Sequence, residues 1–279
     1  MCTKISTSIK RAAGLLLLAL MACQSNADKA PQEKTAPAQE RKGAAEAPRK
    51  GKADAAAPEE APQEKTRPLT SARADSFFAA YAQKHPENKL RVKTPYGNIQ
   101  IRLYDNTPRH RASMLFLTRQ GYFDGTWFYR VRPGHVVQAG NSTRRETQEM
   151  RHRIGKYTLA AESIGENYHH TGAVAMARSY DNNPGKRSTP YEWYIAIGQK
   201  FTAGQLRAME KQQDLSLNAE QRRLYQARGG LPHLDQDHTV IGEVTSGMAV
   251  VRKIARQPTD SREWPKEDIP LKVEVLEGS

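Results

Sequence analysis

Cysteine is almost missing from this 279-residue chain, occurring only as Cys2 and Cys23. Everything beyond residue 23 is therefore without a disulfide framework, a cysteine-ligated zinc site or a thiol nucleophile. Large apolar residues are scarce from Gln24 to about Leu69, where Ala, Pro, Glu and Lys dominate. Such a segment has nothing with which to build a core and is expected to be a disordered tether. Long apolar runs are lacking as well, since the one that ends at Cys23 is too short for a comfortable membrane span. Acidic residues are outnumbered, 30 Asp and Glu against 43 Lys and Arg, which leaves a net charge of +13 and a pI of about 9.7.

What is present at the N-terminus is an export signal. Lys4, Lys10 and Arg11 precede the apolar run, and small residues precede Cys23. Leu20-Met21-Ala22-Cys23 resembles the bacterial lipoprotein box, which implies cleavage after residue 22 and lipidation of Cys23. Gln24, rather than Asp, follows the cysteine, which in the enterobacterial sorting rule implies the outer membrane, facing the periplasm. The expected layout is a signal over 1–23, a tether over 24–70 and one domain over 71–279. APQEKTAP at 30–37 recurs as APQEKTRP at 61–68, a duplicated linker unit. A flexible chain of roughly 50 residues spans on the order of 40 Å. An exported protein has little access to nucleic acid, so the basic clusters at 144–156 and 220–228 read as a solvated face with some attraction to anionic lipid headgroups.

Within the domain, Phe77, Phe78 and Tyr81 have helical spacing over 71–84. LRVKT (90–94) and NIQIRLY (98–104) alternate apolar and polar residues around Pro95, Tyr96 and Gly97, the pattern of a hairpin with one buried face. Thr107 and Pro108 predict the start of a helix that stops at Gly121. Trp127 to Val131 and His135 to Gln138 read as two short strands around Pro133-Gly134. Thr202 with Gln205 and Asn218 with Gln221 have capping-box spacing, so 199–230 predicts a helical hairpin with Leu206, Met209 and Leu224 inward. Gly247 to Ile254 predicts a further helix, and Leu271, Val273 and Val275 a last strand. Pattern alone supports a strand-rich domain with a few helices.

Residues 124–141, DGTWFYRVRPGHVVQAGN, carry more than pattern. The segment resembles that of the cyclophilin peptidyl-prolyl isomerases, usually DGTxFHRVIxGFMIQGGD, with Asp124, Gly125, Thr126, Phe128, Arg130, Val131, Gly134, Gln138 and Gly140 matching without a gap. HTGAVAMAR (170–178) is similar to the bacterial segment GTVAMAR, and PHLDQDHTVIGEVTSGMAVVRKIA (232–255) to WLDGKHVVFGxVxxGMxVVxxI. The resemblance implies a mainly β fold, a closed eight-stranded antiparallel barrel capped by two helices, here with an extra N-terminal helix and the helical insertion. It also implies a cofactor-free and metal-free isomerase of Xaa-Pro bonds. Arg130 takes the catalytic donor position, and Gln138 is a candidate for holding the substrate backbone or for orienting that arginine. His135, Val136, Tyr194 and Leu234 line a proline pocket, with Ala177, Arg178, Glu192, His233 and His238 along the groove.

The departures are Tyr129 for His, His135 for Phe, Val136 for Met, Ala139 for Gly, Asn141 for Asp, Glu192 for Gln and Tyr194 for Phe. Glu192 is expected either to orient the Arg130 guanidinium or to divert it. His233 stands where many members have the Trp that holds cyclosporin, which implies weak drug sensitivity. The expected function is a monomeric, lipid-anchored isomerase of the cell envelope acting on exported proline-containing polypeptides. The competing readings are a proline-binding scaffold that His135 and Glu192 have rendered inactive, and a basic surface-binding module. The insertion reads equally as a client-contact arm or a structural elaboration.

Overall fold

The computed structural model describes residues 67–276. The expected signal, lipidation cysteine Cys23 and nearly all of the tether lie outside the described residues. In chain order the elements are β1 (Leu69–Thr70), α1 (Ser71–Lys84), β2 (Lys89–Thr94), β3 (Gly97–Leu103), α2 (Pro108–Arg119), β4 (Trp127–Arg132) and β5 (Val136–Asn141). They continue with α3 (Arg145–Ile154), β6 (Gly155–Lys156), β7 (Ala173–Met176), β8 (Trp193–Ala196), α4 (Ala203–Gln213) and α5 (Ala219–Ala227). The last are β9 (Val240–Ser246), α6 (Met248–Ile254) and β10 (Lys272–Leu276).

The alternating residues Leu90 and Val92, and Ile99, Ile101 and Leu103, all face the core, as a period of two requires. They set β2 and β3 in an eight-stranded antiparallel sheet of order β10-β2-β3-β9-β7-β8-β5-β4. The sheet curls until its edges meet. Phe128 N donates to Ile269 O (2.9 Å), Leu271 N donates to Thr126 O (3.2 Å), and Trp127 bridges Pro270. Pro270 has no N–H to extend a ladder, so the barrel is closed by a bridge rather than a full strand pair.

Helix α2 buries Ala112, Met114, Leu115 and Leu117 and α6 buries Val251 and Ile254, all in the same core as the sheet. Helix α1 is a packing element: Phe77, Phe78 and Tyr81 each meet Phe116 of α2 edge-on, at 5.4 to 5.7 Å between ring centres. Leu69 and Thr70, which sequence assigns to the tether, already pair with Gly155 and Lys156.

The start of α2 departs from expectation. Thr107 provides no side-chain cap; its hydroxyl donates to Tyr104 O. Glu162, more than fifty residues on in sequence, takes its place. Its carboxylate accepts from Arg109 N (3.1 Å), His110 N (2.9 Å), Arg109 Nε (2.9 Å) and His110 Nδ1 (2.5 Å). A buried carboxylate on a helix N-terminus meets both the unpaired amides and the positive end of the dipole. Burial pushes its pKa up, but the bonds and charge of His110, then Arg109, outweigh burial and hold it at about 2.

Two other expectations need correction. Residues 144–156 are not simply a solvated basic face, because 145–154 form α3 and Arg151 turns inward over the rings of Tyr122 (5.7 Å) and Tyr191 (5.1 Å). Its methylenes and planar head satisfy an aromatic wall that a lysine would fit poorly. In the insertion both capping boxes form, but the buried residues are Leu206, Leu217 and Tyr225, whereas Met209 and Leu224 are only half-buried. The cap at Asn218 fixes the start of α5 and so turns Gln221 and Tyr225, one turn apart, to the inside.

Replacing Glu162 with Gln is expected to destabilise the protein by about 3 kcal/mol at pH 7. Because the folded pKa is depressed, this contribution is complete above the ordinary value of 4.5 and disappears as pH falls through about 2. Urea denaturation of both forms from pH 7 to pH 2 measures it, with the difference shrinking toward the acid end.

Candidate active site

Strands β4 and β5 pair with Arg130 opposite Gln138. Arg130 is half-buried, and its Nη1 donates to Gln138 Oε1 at 3.4 Å. The amide of Gln138 in turn donates to the Tyr129 hydroxyl. That hydroxyl donates to Glu192 Oε2 (2.9 Å), and Glu192 Oε1 accepts from Arg151 Nη2 (3.1 Å). Five polar groups thus form one chain from Arg130 to Arg151. Tyr129 and Glu192, two of the departures from the usual family residues, are partners of each other. Glu192 neither orients nor diverts Arg130 directly, because Arg151 and Tyr129 take both of its oxygens.

The carboxylate that does reach Arg130 is Glu263, which sequence reasoning missed. Its Oε2 lies 2.7 Å from Arg130 Nε and its Oε1 lies 3.4 Å from Arg132 Nε. Glu263 O also accepts from Val131 N (2.8 Å), so the loop lies along β4. Asp260 knots that loop by accepting from Arg262 N and Trp264 N, while Trp264 packs on Tyr129 and Trp127. Glu263 adopts φ 64°, a left-handed conformation disfavoured for a residue with a side chain. The only sequence signals were Pro258, Asp260 and Pro265, which mark a turn and say nothing of its target.

The apolar side of the site is a cluster separate from the main core, in which Val136 and Tyr194 are buried with Ala175, Leu231 and Val240 and in which Leu234 packs from the rim. His135 stacks on His233 with ring centres 5.6 Å apart. Among the described residues its Nδ1 is buried without a hydrogen-bond partner. Burial, then the charges of His233, Arg132 and Arg130, lowers the His135 pKa to about 4. Burial lowers that of His238 to about 3; His238 donates from Nδ1 to Met176 O and meets the Tyr194 ring edge-on at 5.5 Å. The histidines beside the pocket are therefore neutral near pH 7 and act as flat, uncharged walls.

Two groove residues stand otherwise than expected. The Ala177 backbone is already engaged, its N–H with Glu192 O (2.9 Å) and its C=O with Thr189 N (2.8 Å). Arg178 does not extend along the rim. Its guanidinium is turned in against Asp237 (3.2 Å) and under the Tyr180 ring (4.2 Å), because an aromatic face and a carboxylate together hold it more firmly than water does. Tyr180, 60% exposed, occupies the rim instead and shares a 2.7 Å hydrogen bond with His238 Nε2.

A curled eight-stranded antiparallel sheet packed by helices, with an arginine-glutamine pair beside a small apolar cluster, is a cyclophilin-like barrel. The chain belongs to the cyclophilin-type peptidyl-prolyl cis-trans isomerase family, whose model matches residues 89–275. It is 28% identical over 204 residues to a Streptococcus pyogenes protein provisionally named a bifunctional phosphatase/peptidyl-prolyl cis-trans isomerase; the match covers 70% of this chain and 40% of that protein. It is 26% identical over 185 residues to the Schizosaccharomyces pombe peptidyl-prolyl cis-trans isomerase ppi1, covering 66% of this chain and 94% of that one. The fold is shared with the crystal structure of a Cryptosporidium parvum cyclophilin-type isomerase, at a TM-score of 0.50 and 17% identity over 69% of this chain and 99% of that one.

Affinity for an Xaa-Pro peptide is expected to stay level from pH 8 to pH 5 and to fall as pH drops through about 4, where His135 gains its charge. His135→Phe is expected to abolish that fall and to tighten binding about fivefold, through roughly 1 kcal/mol of added apolar contact. Peptide titrations followed by NMR across this range check both.

Proposed function

We propose that this chain catalyses cis-trans rotation about Xaa-Pro bonds of exported polypeptides, as a monomer held at the cell envelope by lipid on Cys23. The observation that carries the catalytic part is the fixed guanidinium of Arg130 beside the cluster of Val136, Tyr194 and Leu234.

Amide resonance sets the rotation barrier at about 18–20 kcal/mol, and uncatalysed exchange takes tens to hundreds of seconds. No bond to carbon is made or broken. The catalyst has only to bind the twisted amide better than either planar form. Twisting releases the lone pair of the prolyl nitrogen, which then accepts a hydrogen bond. Arg130 is suited to donate it: Nε is committed to Glu263 and Nη1 to Gln138, which fixes the plane of the guanidinium and leaves Nη2 for the substrate. Such donors act without reorganising when they are held in advance, and the apolar pocket both grips the proline ring and removes the water that stabilises the planar amide.

The envelope location rests on Leu20-Met21-Ala22-Cys23 and on the tether composition. Anchoring by several acyl chains is stable, since each buried methylene contributes about 0.8 kcal/mol. Charge adds little to it in one of the two basic clusters, because Arg222 pairs with Glu210 and Arg228 with Glu243.

Cis-trans exchange of a short Xaa-Pro peptide, followed by NMR with the Cys23→Ala protein, tests the catalytic reading. Acceleration is expected, and Arg130→Ala is expected to lower it about 100-fold. An unchanged exchange rate with broadened peptide signals would leave a proline-binding scaffold in its place. For the anchor, fractionation of cells is expected to find the native protein with membranes and the Cys23→Ala form released; continued retention of that form contradicts the lipid attachment.

A further inference from the structure

The helical insertion leaves the sheet at Gly198 and returns at Gly230, and its neck is pinned against the segment before β7. Gly230 N donates to Gln199 O (3.0 Å) and Leu231 N donates to His169 O (2.8 Å). A side chain at Gly230 would place Cβ 2.2 Å from His169 O, so only glycine permits this approach. The insertion is therefore seated on His169, a residue that the catalytic reading does not use.

His169 is completely buried and bonded on both ring nitrogens. Nδ1 lies 3.1 Å from Asp235 Oδ1 and Nε2 lies 2.9 Å from the Tyr194 hydroxyl. Asp235 is itself buried and collects donors from α5: the Tyr225 hydroxyl at 2.6 Å and Gln221 Nε2 at 2.9 Å, besides His169 N at 2.8 Å. Directions follow from the chemistry of the groups. A carboxylate accepts, so the Nδ1 proton points to Asp235; in a neutral ring Nε2 then carries the lone pair and accepts from the Tyr194 hydroxyl. The Tyr194 hydroxyl is thereby used behind the pocket, and its ring lies parallel to His169 with centres 6.0 Å apart. Asp235 also follows directly on the short turn Pro232–Leu234, which carries His233 and Leu234 to the other side of the pocket.

We propose that the helical hairpin 199–230 is a positioning device for the proline pocket, in which Tyr225 and Gln221 hold Asp235, Asp235 sets the tautomer of His169, and His169 fixes the Tyr194 ring. This rests on the reading of Val136, Tyr194 and Leu234 as the pocket that takes proline. It assigns α5 a role in substrate affinity, through contacts that no client peptide touches.

The test uses the full Cys23→Ala chain and one Xaa-Pro peptide, with Kd from NMR titration and the exchange rate at saturation. Tyr225→Phe deletes the donor to Asp235. It is expected to raise Kd about tenfold while the saturated exchange rate stays within about twofold of its starting value. In a Tyr194→Phe background there is no hydroxyl to anchor, and the same substitution is expected to change Kd by less than about twofold. A general loosening of the fold would raise Kd equally in both backgrounds; that result, or an unchanged Kd in the first, overturns the proposal. Gln221→Leu removes one bond to the same carboxylate and is read the same way if Tyr225→Phe does not fold. The exchange rate of the unsubstituted chain reports on isomerase activity, and the coupling between positions 225 and 194 reports on the positioning device, so the two fail separately.

Discussion

The register of β4 against β5 is the constraint on which the site depends. It sets Arg130 opposite Gln138, and a slip of one residue would put the two side chains on opposite faces of the sheet. Because a strand pair fixes only which residues oppose each other, the orientation of the guanidinium has to come from elsewhere. The loop around Asp260 supplies it, laying Glu263 along β4 by a backbone bond to Val131 and an ion pair to Arg130. An ion pair of this exposure contributes little to stability. Its effect is geometric: with two nitrogens of the guanidinium engaged, the third has a single direction.

Two buried carboxylates organise the regions around that site by the same rule. A carboxylate removed from water is tolerated only when several donors replace its hydration. Glu162 gathers four and thereby joins the loop before β7 to the first turn of α2. Asp235 gathers its own from His169, Gln221 and Tyr225 and joins the insertion to the pocket. The donors to Glu162 lie more than fifty residues before it, and those to Asp235 come from both His169 and α5, so satisfying the charge draws distant segments to one point. Apolar contact, being non-directional, would hold these segments together without fixing their rings and helix starts.

Local periodicity made much of the fold legible in the sequence. The alternation in 90–94 and 98–104, the helix of Phe77, Phe78 and Tyr81, and both capping boxes depend on residues within one or two turns of each other. What was not legible depends on separation. Glu263 meets Arg130 across 133 positions, and no period or turn signal encodes that distance. Helix α3 escaped notice because the polar Thr147 and Arg151 share its inward face with Met150 and Ile154, which breaks up the apolar stripe. Met209 and Leu224 were assigned inward on hydrophobicity, yet Gln221 took an inward place because a buried carboxylate required its amide. Hydrophobic patterning cannot foresee a polar residue recruited by a charge.

Four of the departures from the family's usual residues, at Tyr129, Glu192, Tyr194 and His135, look like loss of function when taken singly; in the structure three of them have partners. Tyr129 for His and Glu192 for Gln stand across from each other and share a hydrogen bond, while Arg151 of α3 neutralises the charge that Glu192 brings. Tyr194 for Phe adds a hydroxyl, and His169 accepts it on the side away from the pocket. His135 for Phe is different: it stacks on His233, but its Nδ1 is buried with no partner among the described residues. Three of the four changes are thus absorbed by new contacts, and the one left uncompensated adjoins the pocket. A buried ring nitrogen with no partner costs free energy that the phenyl ring usual in the family would not, so this is the one departure that works against the pocket.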